Sequence, residues 1–312
     1  MKNKFKNEKK KMMKENLLIL RNLNQLSKKV NIYKTLFRPG HFYSPIPDLD
    51  DLRSCTDKIF SNNGKSFPGI NLNEEKQFEL LKELLIFYKE MPFKENKNSD
   101  NRFYFDNRLY YYSDAIFLYS MIRNFKPQKI IEIGSGFSSC LILDMNEKFF
   151  ENQIECTFIE PHPERLNALL KDTDKINLKQ AFLQDIDLDL FRELNEGDIL
   201  FIDTSHVTKT GSEVNHILFN ILPNLKKGVL IHFHDIFFPF EYPEKWVFEG
   251  RAWNEIYILR AFLQYNNEFE IVLFNTYLEF KYNEWFKTNI PLCLKKFIND
   301  DRKTGSIWLR KK

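Results

Sequence analysis

Lys129-Ile-Ile-Glu-Ile-Gly-Ser-Gly-Phe-Ser-Ser139 decides how this 312-residue chain folds. Ile130, Ile131 and Ile133 form an apolar run that reads as a buried strand, and it stops abruptly at Gly134. A helix-compatible run begins near Ser138. A strand that ends on Gly-x-Gly and turns into a helix brings bare backbone amides and a helix N-terminus up to a ligand. In open α/β sheets that crevice, at the carboxyl end of a parallel strand, is where nucleotide-type cofactors bind. Glu132 stands out within the strand, because a buried carboxylate needs a partner. The dinucleotide fingerprint asks for glycine three residues after Gly136. Ser139 stands there, which turns the reading away from NAD.

Downstream of this stretch apolar strands and helical segments alternate. Strands are expected at 130–133, 156–160, 177–182, 199–203, 229–234, 270–274 and 306–310, and helices near 138–150, 163–171, 188–194, 211–222 and 252–266. Such alternation implies a parallel, doubly wound α/β sheet. Upstream, a helix is expected after Asn73, which can cap it, with Glu74 and Glu75 at its positive end and Pro92 as its stop. An aromatic segment, Phe103-Tyr-Phe105 and Tyr110-Tyr-Tyr112, leads into a helix over 113–124. It reads as packing or as the wall of a substrate or adenine pocket. Residues 33–68 carry turn signals at Pro39-Gly40, Asn63-Gly64 and Pro68-Gly69. That length without regular structure is expected to wrap the main domain or cover the mouth of its site.

Charge is distributed unevenly. Residues 1–30 hold ten Lys/Arg against two Glu, a local +8 that leaves −5 for the rest from the formal total of +3. The first 30 residues therefore read as a basic tail with a short amphipathic helix, 31–112 as a wrapping or lid region, and 113–312 as the main domain. Cys55, Cys140, Cys156 and Cys293 are widely spaced without a C-x-x-C pair, as reduced thiols of a cytoplasmic protein would be. No apolar run approaches the ~18 residues of a membrane span. The expected partner is a small molecule, with no nucleic acid and no membrane span; an exposed face of 33–112 could pair subunits as a homo-oligomer.

Two strand ends gather the groups with chemistry. Asp198-Ile-Leu-Phe-Ile-Asp-Thr-Ser-His206 delivers Asp203 to a carboxyl end, with His206 three residues on. Gly228-Val-Leu-Ile-His-Phe-His-Asp235 delivers His234 and Asp235 to the next. In a parallel sheet both ends emerge on the rim that carries Gly134, Ser135 and Gly136. A lone histidine is most often structural, but four such groups at two adjacent strand ends form a candidate site. His206 can act as a general base toward a substrate hydroxyl, with an ordinary pKa of about 6.5 suited to that task. Alternatively Asp203, His234 and Asp235 hold a divalent cation that clamps substrate oxygens. His232 alternates with His234 and is expected on the opposite side of the strand, as a structural residue. Glu160 ends the second strand some 20–25 residues after the glycine turn, a spacing at which an acid accepts hydrogen bonds from both ribose hydroxyls. Its bland counterpart is a surface acid.

Glu132-Ile-Gly-Ser-Gly-Phe-Ser-Ser139, Phe158-Ile-Glu-Pro161 and the two strand-end stretches resemble the class I S-adenosylmethionine-dependent methyltransferases, of the kind found among small-molecule and surface-polysaccharide O-methyltransferases. Glu249-Gly-Arg-Ala-Trp-Asn-Glu255 and Arg38-Pro-Gly-His-Phe-Tyr-Ser-Pro-Ile-Pro-Asp48 extend the likeness. The resemblance implies a Rossmann-like seven-stranded sheet of order 3-2-1-4-5-7-6 with an antiparallel last strand. It implies S-adenosylmethionine bound by Glu132, Gly134, Ser135, Gly136 and Glu160, with Asp185 near the adenine amino group. Catechol-type relatives place a metal aspartate at Asp203 and a catalytic lysine at His206, and their Asp-Asn pair falls on His234-Asp235. The expected activity is methyl transfer to a small hydroxylated acceptor, sugars included, with His206 and Asp203 as catalytic groups. A catalytically silent cofactor-binding scaffold and an NAD-linked oxidoreductase are the alternatives. Arg251, Trp253 and Glu255 shape the acceptor pocket or merely start a helix.

Overall fold

The computed structural model describes residues 35–61, 66–295 and 303–312. The basic tail and the amphipathic helix expected over 12–30 lie outside them. The chain divides into two compact units, Met1–Cys55 and Thr56–Lys312.

In the first unit a helix spans Leu49–Ser54, where only irregular chain was expected. Asp48 caps it: its carboxylate accepts from the Asp50 amide at 2.8 Å and the Asp51 amide at 3.3 Å, two of the amides that the first turn leaves without a partner. Gly40 takes φ +83° in the turn that precedes it.

The second unit is built on one seven-stranded sheet: β1 (Lys129–Ile133), β2 (Glu155–Ile159), β3 (Asn177–Lys179), β4 (Ile199–Ile202), β5 (Leu230–His234), β6 (Phe269–Phe274) and β7 (Ser306–Lys311). Their order is β3-β2-β1-β4-β5-β7-β6. The pairs β1–β2, β1–β4, β2–β3 and β4–β5 are parallel, and β7 runs antiparallel between β5 and β6. This is the Rossmann-like sheet that the resemblance implied. The central strands are buried throughout, so their apolar runs show no alternation. Phe158, Phe201, Phe233 and Trp308 are fully buried side chains of the sheet, and the helix Tyr112–Phe125 packs an almost wholly buried surface into the same core.

Three local expectations are corrected. Asn73 does not cap the helix Glu74–Lys89 through its side chain. It adopts φ +51° and its Nδ2 donates to the Ile271 carbonyl of β6 at 3.1 Å, tying helix to sheet. The third strand ends at Lys179, and the chain passes into a 3₁₀ turn at Leu183–Asp185. The helix expected over 211–222 is a short α segment, Glu213–His216, that widens into a π turn over Ile217–Ile221. The pure α-helical period cannot anticipate such a change of winding.

Candidate active site

The strand ends of β1, β2 and β4 are laced together at the glycine turn. The Gly134 amide donates to the Ile159 carbonyl at 2.9 Å, and the Asp203 amide donates to the Ile133 carbonyl at 2.9 Å. Gly134 takes φ +80°, and a Cβ there would stand 1.7 Å from the Asp203 carbonyl oxygen, so only glycine fits. Gly136 opens the helix Phe137–Phe149. Its amide donates to Ser139 Oγ at 2.9 Å, and Ser139 in turn donates to the buried Glu132 carboxylate. Ser139 is therefore the partner that Glu132 demanded. Burial still dominates, and it pushes the Glu132 carboxyl up to about 8 against the hydrogen bonds of Ser138 and Ser139.

The glycine turn walls one side of a cavity of about 400 Å³. Gly134, Ser135 and Gly136 line it together with Glu160 at the end of β2 and Asp203 beyond β4. Glu160 accepts from the Ser135 amide at 3.1 Å and from the His162 amide at 2.9 Å, so its carboxylate is already aimed along the turn. Asp185 is exposed and does not line the cavity, whereas its neighbours Leu183 and Gln184 do. Thr204 Oγ1 is buried in the lining without a protein partner, a polar atom placed for a ligand. Of the aromatic segment, Tyr110 reaches the cavity wall. Phe103, Phe105, Tyr111 and Tyr112 are core residues that stack with their neighbours.

Asp203, His206, His234 and Asp235 converge on the rim as expected. His206 Nε2 lies 3.3 Å from Asp203 Oδ1 and 3.6 Å from Asp235 Oδ2, and its Nδ1 lies 2.9 Å from Glu255 Oε2. Three carboxylates thus surround one imidazole whose side chain is 5% exposed. Burial opposes the charged ring, but the hydrogen bonds with Asp203 and Glu255 and the charge of Asp235 raise its pKa well above the ordinary value. Asp203 moves the other way: against burial, His234 and His206 hold its carboxyl below the usual range. Asp235 is raised, burial outweighing the two histidines. His206 and Asp235 sit at φ +59° and +56°, a left-handed conformation unusual for residues with side chains and found where surroundings dictate it.

His234 lies between Asp114 and Asp235. Its Nδ1 lies 3.9 Å from Asp114 Oδ2 and its Nε2 3.6 Å from Asp235 Oδ1, and the Tyr110 ring lies 5.1 Å from its own. Among the described residues, no group of three or more His, Cys, Asp or Glu side chains is arranged to hold a metal ion. The His206 ring lies between Asp203 and Asp235, 3.3 and 3.6 Å from their carboxylates, so Asp203, His234 and Asp235 do not surround a common point. His232 shares a face with His234, their rings 6.2 Å apart, because residues two apart on a strand point the same way. It is fully buried, stacked on Phe201 at 4.2 Å, and burial keeps it neutral.

The structure adds groups that sequence reasoning passed over. Asp114 is buried at the start of an apolar helix. It accepts from Asn275 Nδ2 at 2.8 Å and from the Gly305 amide at 3.1 Å, and burial pushes it up to about 6. An acid in an otherwise apolar helix was the available signal, masked because acids are ordinary in a first turn. Beside His206, Trp253 lies with its ring 4.5 Å away, and the Arg251 guanidinium stacks 4.1 Å over Trp246. Glu255, Trp253 and Arg251 were noted in sequence, but their convergence depends on how the chain after β5 doubles back over His206.

Residues 131–236 match the family model described as a methyltransferase domain. Over 171 residues the chain is 36% identical to an uncharacterized protein of Archaeoglobus fulgidus, covering 53% of this chain and 76% of that one. The chain belongs to one family with that archaeal protein, and its residues 131–236 carry a methyltransferase domain. Among solved structures, it is similar to the methyltransferase PaMTH1 of Podospora anserina bound to SAH, at 15% identity over 84% of this chain and 94% of that chain, with a TM-score of 0.42. The plantazolicin methyltransferase BpumL gives 15% identity over 75% and 99%, with a TM-score of 0.44. Among the described residues, no helix is long and apolar enough to cross a membrane.

Proposed function

We propose that this methyltransferase alkylates a hydroxyl oxygen of a small hydroxylated acceptor, sugars included, with His206 as the proton acceptor. The observation that carries the reading is the place of His206: held at the rim between Asp203 and Asp235, next to Asp203-Thr204-Ser205 of the cavity wall. S-adenosylmethionine supplies an electrophilic methyl group on a sulfonium sulfur, which leaves as the neutral thioether when an acceptor oxygen displaces it.

In this reading the backbone of Gly134–Gly136, the carboxylate of Glu160 and Thr204 hold the cofactor. Bare amides and an aimed carboxylate supply the donors and acceptors that an amino acid and a ribose diol require. The protein's part in the transfer is to place the oxygen in line and remove its proton. His206 Nε2 takes that proton, and the flanking carboxylates stabilise the imidazolium that results. Because they raise its pKa, the neutral, proton-accepting ring appears only at higher pH than for an ordinary histidine, so the transfer rate is expected to rise on the alkaline side of neutrality. No step is assigned to a cation.

Incubation of the protein with tritium-labelled S-adenosylmethionine and a panel of monosaccharides, uronic acids and phenols tests the reading. Label is expected in a base-stable ether of an acceptor. Replacement of His206 by alanine is expected to lower the transfer about 10²–10⁴-fold. Transfer only to amines or thiols, or full activity of the His206→Ala protein, would overturn it.

A further inference from the structure

Within the first unit, residues 36–46 gather into a knob of rings. The His41 ring is sandwiched between Phe37, 4.7 Å away with 16° between the planes, and Phe42, 4.5 Å away with 24°. Tyr43 closes the group against Phe42 at 4.2 Å and Phe37 at 4.9 Å. Short-range hydrogen bonds hold the arrangement. The Gly40 amide donates to the Ile46 carbonyl at 3.0 Å, the Ser44 amide to the His41 carbonyl at 2.7 Å, and the Tyr43 amide to His41 Nδ1 at 3.1 Å. Yet Leu36 is 88% exposed, Phe42 81%, Tyr43 65% and Ile46 40%. Single exposed apolar residues are ordinary, but a cluster of them held in place marks a surface that a partner covers.

The charge around the knob identifies the partner. Residues 1–30 carry +8, and residues 31–47 add Lys34 and Arg38 without one acid, which leaves −7 for residues 48–312 from the formal total of +3. Lys34 stands two residues from Leu36, and Lys28 and Lys29 lie within about 30 Å of it whatever path the chain takes. The nearest acids are committed locally: Asp48 caps the helix Leu49–Ser54, and Asp50 pairs with Arg53. Exposed rings and aliphatic side chains beside a dense cationic flank match an anionic bilayer, whose headgroups attract lysine and whose interface takes up amphipathic rings. Single-stranded nucleic acid fits less well. Both faces of the His41 ring are already covered, and Leu36 and Ile46 offer no face on which a base can stack. A second copy would bring two +8 segments together. We propose that the 36–46 knob, with the basic residues ahead of it, is a peripheral docking surface for anionic lipid, the rings lying at headgroup level. Such docking uses neither the cofactor cavity nor His206.

The test is sedimentation of the full chain with phospholipid vesicles, one set of phosphatidylcholine alone and one an equal mixture with phosphatidylglycerol. The chain is expected to pellet with the mixed vesicles and to stay in solution with the neutral ones. Raising the salt from about 0.05 to about 0.5 M shortens the screening length to a few ångströms and should release it. Phe42→Ser combined with Tyr43→Ser removes apolar surface that the fold leaves exposed. The melting temperature should hold while partition to mixed vesicles falls about tenfold or more. Replacing Lys2, Lys4, Lys6, Lys9, Lys10 and Lys11 by glutamine should lower it by at least about a hundredfold at low salt. Equal pelleting with both vesicle sets, pelleting with neither, or a serine pair that partitions like the wild type overturns the proposal. So does a labelled single-stranded oligonucleotide whose binding the serine pair abolishes, or a dimer in sedimentation equilibrium that the same pair dissolves.

Discussion

Gly134 and Glu132, two residues apart, show how tightly the site is built at the level of single side chains. At Gly134 a methyl group has to displace the Asp203 carbonyl, which is held by its place at the end of β4, and the backbone is left-handed as well. Gly134→Ala is expected to destabilise the fold by at least about 2–3 kcal/mol and to abolish binding of S-adenosylhomocysteine, read by urea unfolding and calorimetry. Retained binding with an unchanged unfolding midpoint would show that the turn can open. Glu132 makes a prediction about pH. Its folded-state pKa, about 8, lies above the ordinary 4.5, so between those values the folded chain keeps a proton that the unfolded chain has lost. The stability this supplies is complete below about pH 4.5 and disappears as pH rises through 8, amounting to a few kcal/mol at most. Glu132→Gln keeps an acceptor for Ser139 and cannot ionise. Its melting temperature should therefore fall less steeply than the wild type's over that window, and parallel curves would refute the assignment.

At the scale of elements, the ties between segments matter more than the segments themselves. Arg102, with 5% of its side chain exposed, donates to Asp144 at 2.7 Å and Glu147 at 2.8 Å on the helix Phe137–Phe149, and through Nε to Asp174 at 2.8 Å ahead of β3. One guanidinium thereby fastens the chain before the aromatic segment to the helix that begins at the glycine turn. The Phe103 amide adds a bond to Asp144 at 2.8 Å. Asp144 and Asp174 are nearly inaccessible, so removing the cation strands two carboxylates away from water. Arg102→Ala should cost about 3–5 kcal/mol in urea unfolding. Arg102→Lys should recover only part of it, because an ammonium cannot reproduce the planar fork that serves three acids at once. A lysine variant as stable as the wild type would mean that charge, not geometry, holds these elements together.

Across the molecule as a whole, legibility in the sequence followed burial. The runs at Ile130–Ile133 and Ile199–Ile202 are apolar on both faces and bounded by Gly, Pro or charge, so strand ends were placed within a residue of β1 and β4. The glycine turn and the convergence of Asp203, His206, His234 and Asp235 followed from those strand ends and that of β5. What could not be read was set by contacts distant in sequence: Asn73 reaching Ile271, Glu255 reaching His206, Asp114 meeting Asn275 and Gly305. The face of His232 was misplaced for a simpler reason, the strand period of two. The metal expectation met no grouping of three donors among the described residues, because the His206 ring, from a loop beyond β4, lies between two of the carboxylates.

The cavity and the fold are coupled by binding, and that coupling is measurable in the intact chain. The cavity wall is assembled from the ends of β1, β2 and β4 and the turn after β3, which are far apart in the unfolded chain. A ligand that fits it therefore binds only the folded state and stabilises it by mass action. At a hundredfold excess over its dissociation constant the gain is about 2.7 kcal/mol. For a chain of this size that raises the melting temperature by about 4 °C. S-adenosylhomocysteine is expected to produce this shift and NAD none, because Ser139 stands where the dinucleotide fold needs glycine and its hydroxyl is committed to Gly136 and Glu132. Chelator treatment should leave the shift unchanged, since the donor set at the rim is occupied by the His206 ring. A shift with NAD alone would transfer the site to hydride chemistry, and one that chelator abolishes would restore a metal to it.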